Sequence, residues 1–371
     1  MDERVTLLLA GDVMTGRGID QVLAHPGDPK LYEPWVSDAR DYLRLAEQVN
    51  GPIARGQPPP YPWGEALDEM ARHAPALRIV NLETAITDQG PPWPGKGIHY
   101  RMHPANIGCL AAARLDACML ANNHVLDWGE AGLRDTLRAL RTAGMALAGA
   151  GADAHEAWTP ASLPWPGGGW LRLHAFATET SGVPPEWDAG PGRPGVARLP
   201  DLSTRSVERI AQAVAQARSE GDRVLVSLHW GGNWGLALPP EHRRFAHALI
   251  DAGVADVVHG HSSHHPLPIE VYRGKLVLYG CGDLINDYEG IEAQHGSLRS
   301  DLGCLYFASL GRSDGLLQRL AIVPLQLRRF RLERPDAPAR DWLLRLFNEE
   351  GRALGTWVEV EVDGGWALRW S

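Results

Sequence analysis

The chain has 371 residues, of which 44% are hydrophobic and 22% charged, with a formal net charge of -9. Such a chain can bury a sizeable core as one large α/β domain or two smaller ones, and nothing in its composition points to disorder. Its acidic balance and lack of a Lys/Arg run argue against a nucleic-acid partner, and no apolar run approaches the ~20 residues that span a bilayer.

In chain order, the first expected strand is Val5–Ala10, which breaks into Gly11-Asp12. Only Asp2 and Glu3 stand between Met1 and that region apart from Arg4. No basic n-region or apolar h-region is visible there, so the expectation is a cytoplasmic protein without a secretory leader. Pro26–Gly64, with GQPPPYPWG, reads as a long ordered loop or insertion. A strand at Leu77–Asn81 runs into Leu82-Glu83. A helix at Pro104–Arg114 is followed by a strand at Ala117–Leu120, which stops at Asn122-Asn123-His124. Helix Glu130–Ala143 ends at Gly144, where a glycine C-cap belongs, and strand Met145–Ala148 follows. A second Pro/Gly-rich stretch, Trp158–Gly195, contains strand Leu171–Ala177. Helix Leu202–Glu220 and strand Arg223–Leu228 then lead to His229. Helix Pro240–Ala252 precedes strand Asp256–His259 within VVHGHSSHH (Val257–His265), and strand Leu276–Tyr279 comes next. From Leu302 the pattern becomes antiparallel, with strands Leu302–Leu310, Gly315–Pro324 and Trp357–Trp370 and one helix at Arg340–Leu354.

Strands alternating with helices imply βαβ units and largely parallel pairing. In such a sheet the carboxyl ends of the strands converge on one crevice. Five apolar runs here stop in Asp, Glu, Asn or His, the side chains that bind hard or borderline divalent cations. A metal site at the strand ends is therefore expected. The two aromatic, proline-rich stretches read as walls and lid over it. The four cysteines lie far apart without a CxxC pair and read as reduced core residues.

GDVMTGR, NLETAIT, LANNHVLDWGEAGL, SLHWGGNW and the block from Ala248 to Asp283 resemble the bacterial CapA family, named for polyglutamate capsule synthesis. The resemblance runs from Val5 to about Phe307. It implies a calcineurin-like, metallophosphatase-type α/β fold, a four-layer αββα sandwich with mixed sheets. Residues 1–325 would form that domain, and the helix and strands of 326–371 would pack on it. The family pattern also implies that Asp12, Glu83, Asn123, His229, His261 and His264 surround the metal; His259, on the opposite side of the strand from Val258, reads as structural, and His265 is expected to stay out of the site. Metallophosphatases carry a histidine where this chain has Met14, and a thioether does not replace imidazole for a hard ion. One divalent ion is expected, with Ca, Mg or Mn favoured by the oxygen-rich donors and Zn not excluded.

Three reactions fit this reading: a metal-dependent phosphoesterase, a component of polyglutamate capsule biosynthesis, and acid/base chemistry at a peptide Cα. The chain looks most similar to the family's lasso-peptide branch, which inverts a C-terminal tryptophan, so peptide epimerisation of a ribosomally made precursor is the leading expectation. Two bases would flank the carbon: His124 oriented by Asp127, and His295 paired with Asp12 or Asp283. Asp127 could equally cap the helix from Glu130, and His295 could be a solvated loop residue. Trp230 and Trp234 could hold an indole or merely cover the site. Arg17, Arg101 and Arg299 are candidates to grip the peptide carboxylate. No membrane partner is expected, and the sequence leaves a homodimer open.

Overall fold

The structure, a computed structural model, describes residues 3–166, 168–291 and 298–371. Its first sheet is built on the strand Arg4–Val13, whose buried apolar run pairs in parallel with Leu77–Leu82. Ala117–Met119 and Ala146–Ala148 extend the parallel half. On the other side the same first strand pairs antiparallel with Leu302–Gly311, and Leu317–Arg328, Trp366–Trp370 and Thr356–Val360 complete that half. The second sheet is parallel through Trp170–Thr178, Arg223–His229, Val257–His261 and Lys275–Leu278, and closes with antiparallel Ile269–Tyr272.

Period-2 alternation decides which side of the second sheet each residue faces. Leu171, Leu173, Leu225, Val257 and Leu276 join the core shared with the first sheet. Their neighbours Val224, Val226, Val258 and Val277 pack instead with Val207, Ile210 and Val214 of helix Thr204–Ala217 and with Phe245 and Leu249 of helix Pro240–Asp251. Helices Ala66–His73, Gly129–Thr142 and Ala337–Gly351 supply buried residues to the larger core, and His73 stacks on Phe307 of the first sheet. The sheets face each other between helical layers, the four-layer α/β arrangement the resemblance implies. His259 links them by donating from Nε2 to the Ala10 carbonyl (2.9 Å) and taking the Ser227 hydroxyl at Nδ1 (3.2 Å).

The region Pro26–Gly64 is not one long loop. It contains helix Arg40–Asn50, which buries Tyr42, Leu43 and Ala46 on one face, a short stripe hidden by the surrounding prolines and glycines. In Trp158–Gly195, Ala161–Pro164 forms a hairpin with Trp170–Thr178. The helix expected at Pro104–Arg114 is a 3-10 turn at Pro104–Asn106 followed by Gly108–Ala112. The sequence pattern also gave no hint of the short strand Asp283–Ile285, which pairs in parallel with the first strand. Among the described residues no helix is long and apolar enough to cross a membrane.

One packing detail gives the fold a pH dependence. His174 lies buried beside Phe176, with ring centroids 6.2 Å apart, and neither ring nitrogen has a partner among the described residues. Burial, helped by Arg172, lowers its pKa from 6.5 to about 4. Between those values the unfolded chain holds a proton that the folded chain does not, so stability falls as pH drops through that window. His174→Leu should flatten that slope, measured by denaturant unfolding at successive pH values. An unchanged slope would assign the acid sensitivity elsewhere.

Candidate metal centre

Asp12 reaches the site through a break in strand pairing. Ala10 pairs with Val80 and Asp12 with Asn81, so Gly11 is the extra residue of a bulge, which re-aims the side chain that follows. Only glycine fits there: a Cβ on Gly11 would lie 1.8 Å from the Gly282 carbonyl oxygen. The Asp12 carboxylate then accepts from Asn81 Nδ2 (2.7 Å) and from the Ser262 amide (3.2 Å). Ser262 has φ +98°, a left-handed conformation unusual for a non-glycine residue and of a kind that concentrates at functional sites.

All six residues expected around the metal are brought together from both sheets. Asp12, His229 and His261 form one group whose ligand atoms lie within 4.8 Å of one another, and Asp12, His264 and Asp283 form a second. Glu83 Oε1 stands 3.8 Å from His124 Nε2 and 3.9 Å from His229 Nε2. Asn123 Oδ1 meets His229 Nε2 at 3.1 Å, and His229 Nδ1 faces His261 Nδ1 at 2.7 Å. The Ser227 hydroxyl is 2.7 Å from His261 Nε2. Met14 is buried two residues after Asp12, and Asp283, on the neighbouring strand, adds a carboxylate that pairs with His264 at 2.9 Å.

The electrostatics suit a cation. Burial first, and then the neighbouring Asp283, raise the Asp12 pKa to about 7. Burial and Asp12 push Glu83 well above the carboxylate range. Burial holds His229 and His261 well below the usual imidazole value, so both keep lone pairs. Two buried carboxylates that resist ionising together, beside neutral imidazoles with facing nitrogens, are a donor set that a divalent ion would satisfy.

At one side of this cluster stands a dyad. His124 Nδ1 lies 2.6 Å from Asp127 Oδ2, which also accepts from the Tyr100 amide (2.7 Å). Asp127 therefore orients the imidazole, and the alternative as a side-chain cap of the following helix is not seen: Trp128 occupies the cap position, with no side-chain capping bond. Burial lowers the His124 pKa to about 4, against the pull of Asp127. Lys96, missed in the sequence, donates to Asp127 Oδ1 and the Asn123 carbonyl and sits over the Trp187 ring. Burial lowers its pKa despite Asp127. Its segment PPWPGKG carries no periodicity, so only the glycine beside a lone lysine could have drawn attention to it.

The expected substrate contacts are less well placed. Arg17 is buried, with its guanidinium bonded to both oxygens of Asp287 and to Glu33 and stacked on Tyr42 (3.6 Å). Arg101 stacks on Trp128 (3.7 Å) and reaches Asp28, and Arg299 makes a two-bond pair with Asp301. Each is thus engaged within the protein. Trp230 follows His229 and so faces the opposite side of the sheet, stacked on His242 with its indole N–H on the Tyr279 carbonyl. Trp234 does border the cluster, 5.2 Å from the His264 ring. His265 bonds to the Gly235 amide and the Pro266 carbonyl, outside the donor set. His295 lies outside the described residues.

Because Asp12 belongs to both groups, Asp12→Asn should abolish stoichiometric metal, whereas His261→Ala and His264→Ala should each weaken it, as read by elemental analysis after dialysis. Full metal content in Asp12→Asn would contradict this arrangement.

Residues 6–288 match the model of the bacterial capsule synthesis protein PGA_cap. A probable polyglutamine synthesis accessory protein of Mycobacterium tuberculosis is 46% identical over 360 residues, covering 97% of this chain and 94% of its own. The PGA biosynthesis protein CapA of Bacillus subtilis is 27% identical over 287 residues, 77% of this chain and 64% of that protein. Among solved structures, one described as a novel phosphatase of Mycoplasma pneumoniae aligns over 91% of this chain and 96% of its own, with 10% identity and a TM-score of 0.43. On the family match and the mycobacterial relative, the chain belongs to the bacterial capsule synthesis protein PGA_cap family.

Proposed function

We propose that the protein is a metal-dependent, hydrolase-type enzyme acting on a glutamyl polymer during its synthesis. The observation that carries this reading is the pair of buried donor groups sharing Asp12, in a chain whose relatives are named for polyglutamine and PGA synthesis. Asp12, Glu83, Asn123, His229, His261, His264 and Asp283 would hold the ion. When bound, a divalent cation supplies Lewis acidity and lowers the pKa of coordinated water. The protein's own contribution is proton control. With the Nδ1 proton directed to Asp127, His124 is left with Nε2 beside Glu83, and its low pKa keeps that nitrogen an acceptor at neutral pH.

A second reading, inversion of the Cα of a C-terminal tryptophan in a precursor peptide, draws on the same dyad. A neutral imidazole oriented by a buried carboxylate next to a cation site is one of the two bases that such chemistry needs. Under this reading His295 would be the second base, and Trp234 a contact for the indole.

Incubating metal-loaded protein in heavy water with a glutamyl oligomer, and separately with a peptide ending in tryptophan, separates the two by mass spectrometry. New chain ends on the oligomer support the first, and deuterium at one Cα without cleavage supports the second. Under either reading His124→Ala should lower the rate at least ~10²-fold while metal content stays that of the wild type. Wild-type turnover in that variant would remove His124 from the chemistry.

A further inference from the structure

Met14, two residues after Asp12, offers only a thioether there, and one hydroxyl is aimed at it. The Tyr288 phenol donates to Met14 Sδ at 3.9 Å, and a thioether is a weak acceptor. Its oxygen in turn receives the Tyr100 hydroxyl at 3.4 Å, so among the described residues the Tyr288 proton is the one without a strong acceptor. The nearby Asp283 carboxylate is engaged by other donors, Oδ1 with His264 and Oδ2 with Asn286. The Tyr288 ring stands edge-on to His264, with centroids 5.3 Å apart at 85°, which puts it against the second donor group. Tyr288 is also partly exposed, whereas Tyr100 is buried.

We propose that Tyr288 is a substrate-binding residue, donating its O–H to an anionic oxygen of a ligand bound beside His264 and Asp283. The assignment rests on the metalloenzyme reading. A hydroxyl rotates freely about its C–O bond, so turning from sulfur to a carboxylate or phosphoryl oxygen loses little and forms a charge-assisted bond. Such a donor also stabilises charge that develops on a reacting oxygen. Arg17 supports the arrangement from behind, stacked on Tyr100 at 4.5 Å and bonded to Asp287, the residue preceding Tyr288.

The test uses full-length protein loaded with manganese and inorganic phosphate as the probe, with binding read from the relaxation of the phosphorus signal. Tyr288→Phe should keep the metal content and unfolding midpoint of the wild type but bind phosphate about 10-fold more weakly. Tyr100→Phe, which loses only a bond to Tyr288, should bind phosphate as the wild type does. On any substrate turned over, Tyr288→Phe should lower kcat about 10²-fold, as loss of one oxyanion donor does. Equal phosphate affinity in metal-loaded wild type and Tyr288→Phe, or no phosphate binding by the metal-loaded wild type, overturns the assignment alone. A wild-type protein that takes up no divalent metal overturns the metalloenzyme reading, and this assignment with it. If Tyr288→Phe fails to fold, Tyr288→His, which restores a ring donor, must recover phosphate binding above that of Tyr288→Leu, or the assignment falls.

Discussion

The site depends on holding acidic side chains close together where water cannot screen them, so that they resist ionising together. Asp12 and Glu83 are both buried at the ends of adjacent parallel strands, and a single amide mediates between them. Asn81 Nδ2 donates to Asp12 at 2.7 Å and to Glu83 at 3.2 Å, while Asn81 Oδ1 accepts from Asn122, just past the end of the next strand, at 3.1 Å. Asn122 also accepts the backbone N–H groups of His124 and Val125, which fixes the turn that presents the dyad. An amide serves where a carboxylate or a lysine would not, because it offers donors to two acids and an acceptor to a third residue without adding charge.

This network secures only the half of the site built on the first sheet. His229, His261 and His264 arrive from the second sheet, and the contact between sheets decides whether the halves meet. The His259–Ala10 bond lies one residue from the Gly11 bulge and two residues from His261, so it sets the distance between the sheets where the buried Asp/His cluster forms. His259 is itself a donor-type residue used for alignment, which separates it in role from His261 on the same face of the strand.

Much of this was legible from sequence. Buried parallel strands read as continuous apolar runs, and the runs here end in the residues that form the cluster, so strand ends, α/β class and ligand types were visible together. Side-chain direction and long-range pairing were not. Alternation places Trp230 away from the cleft although it adjoins His229. Arg17 has its partners in Glu33 and Asp287, the latter 270 positions away, and no local pattern announces them. Lys96 lies on a loop without period, held by bonds to the Asn123–Asp127 turn. Asp283 and Tyr288 are set by the short strand Asp283–Ile285 and the turn after it, too brief to give a periodic signal. The stretch around Arg40–Asn50 failed for a different reason: proline and glycine on either side outweighed one helical stripe.

The pairing of the first strand has a consequence for how the chain is made. Val5 is hydrogen-bonded in register with Leu310, and the sheet that both occupy is completed by Trp366–Trp370. On one flank, then, the central strand of the first sheet has no partner until the chain has been made as far as Asp283–Ile285 and Leu302–Gly311. At roughly 5–20 residues per second that wait lasts many seconds. During it an apolar strand with an open edge must be kept from pairing with neighbouring chains. High contact order of this kind slows folding and prolongs exposure to aggregation. Expression yield should therefore depend on chaperone supply and growth temperature rather than on the stability of the finished fold.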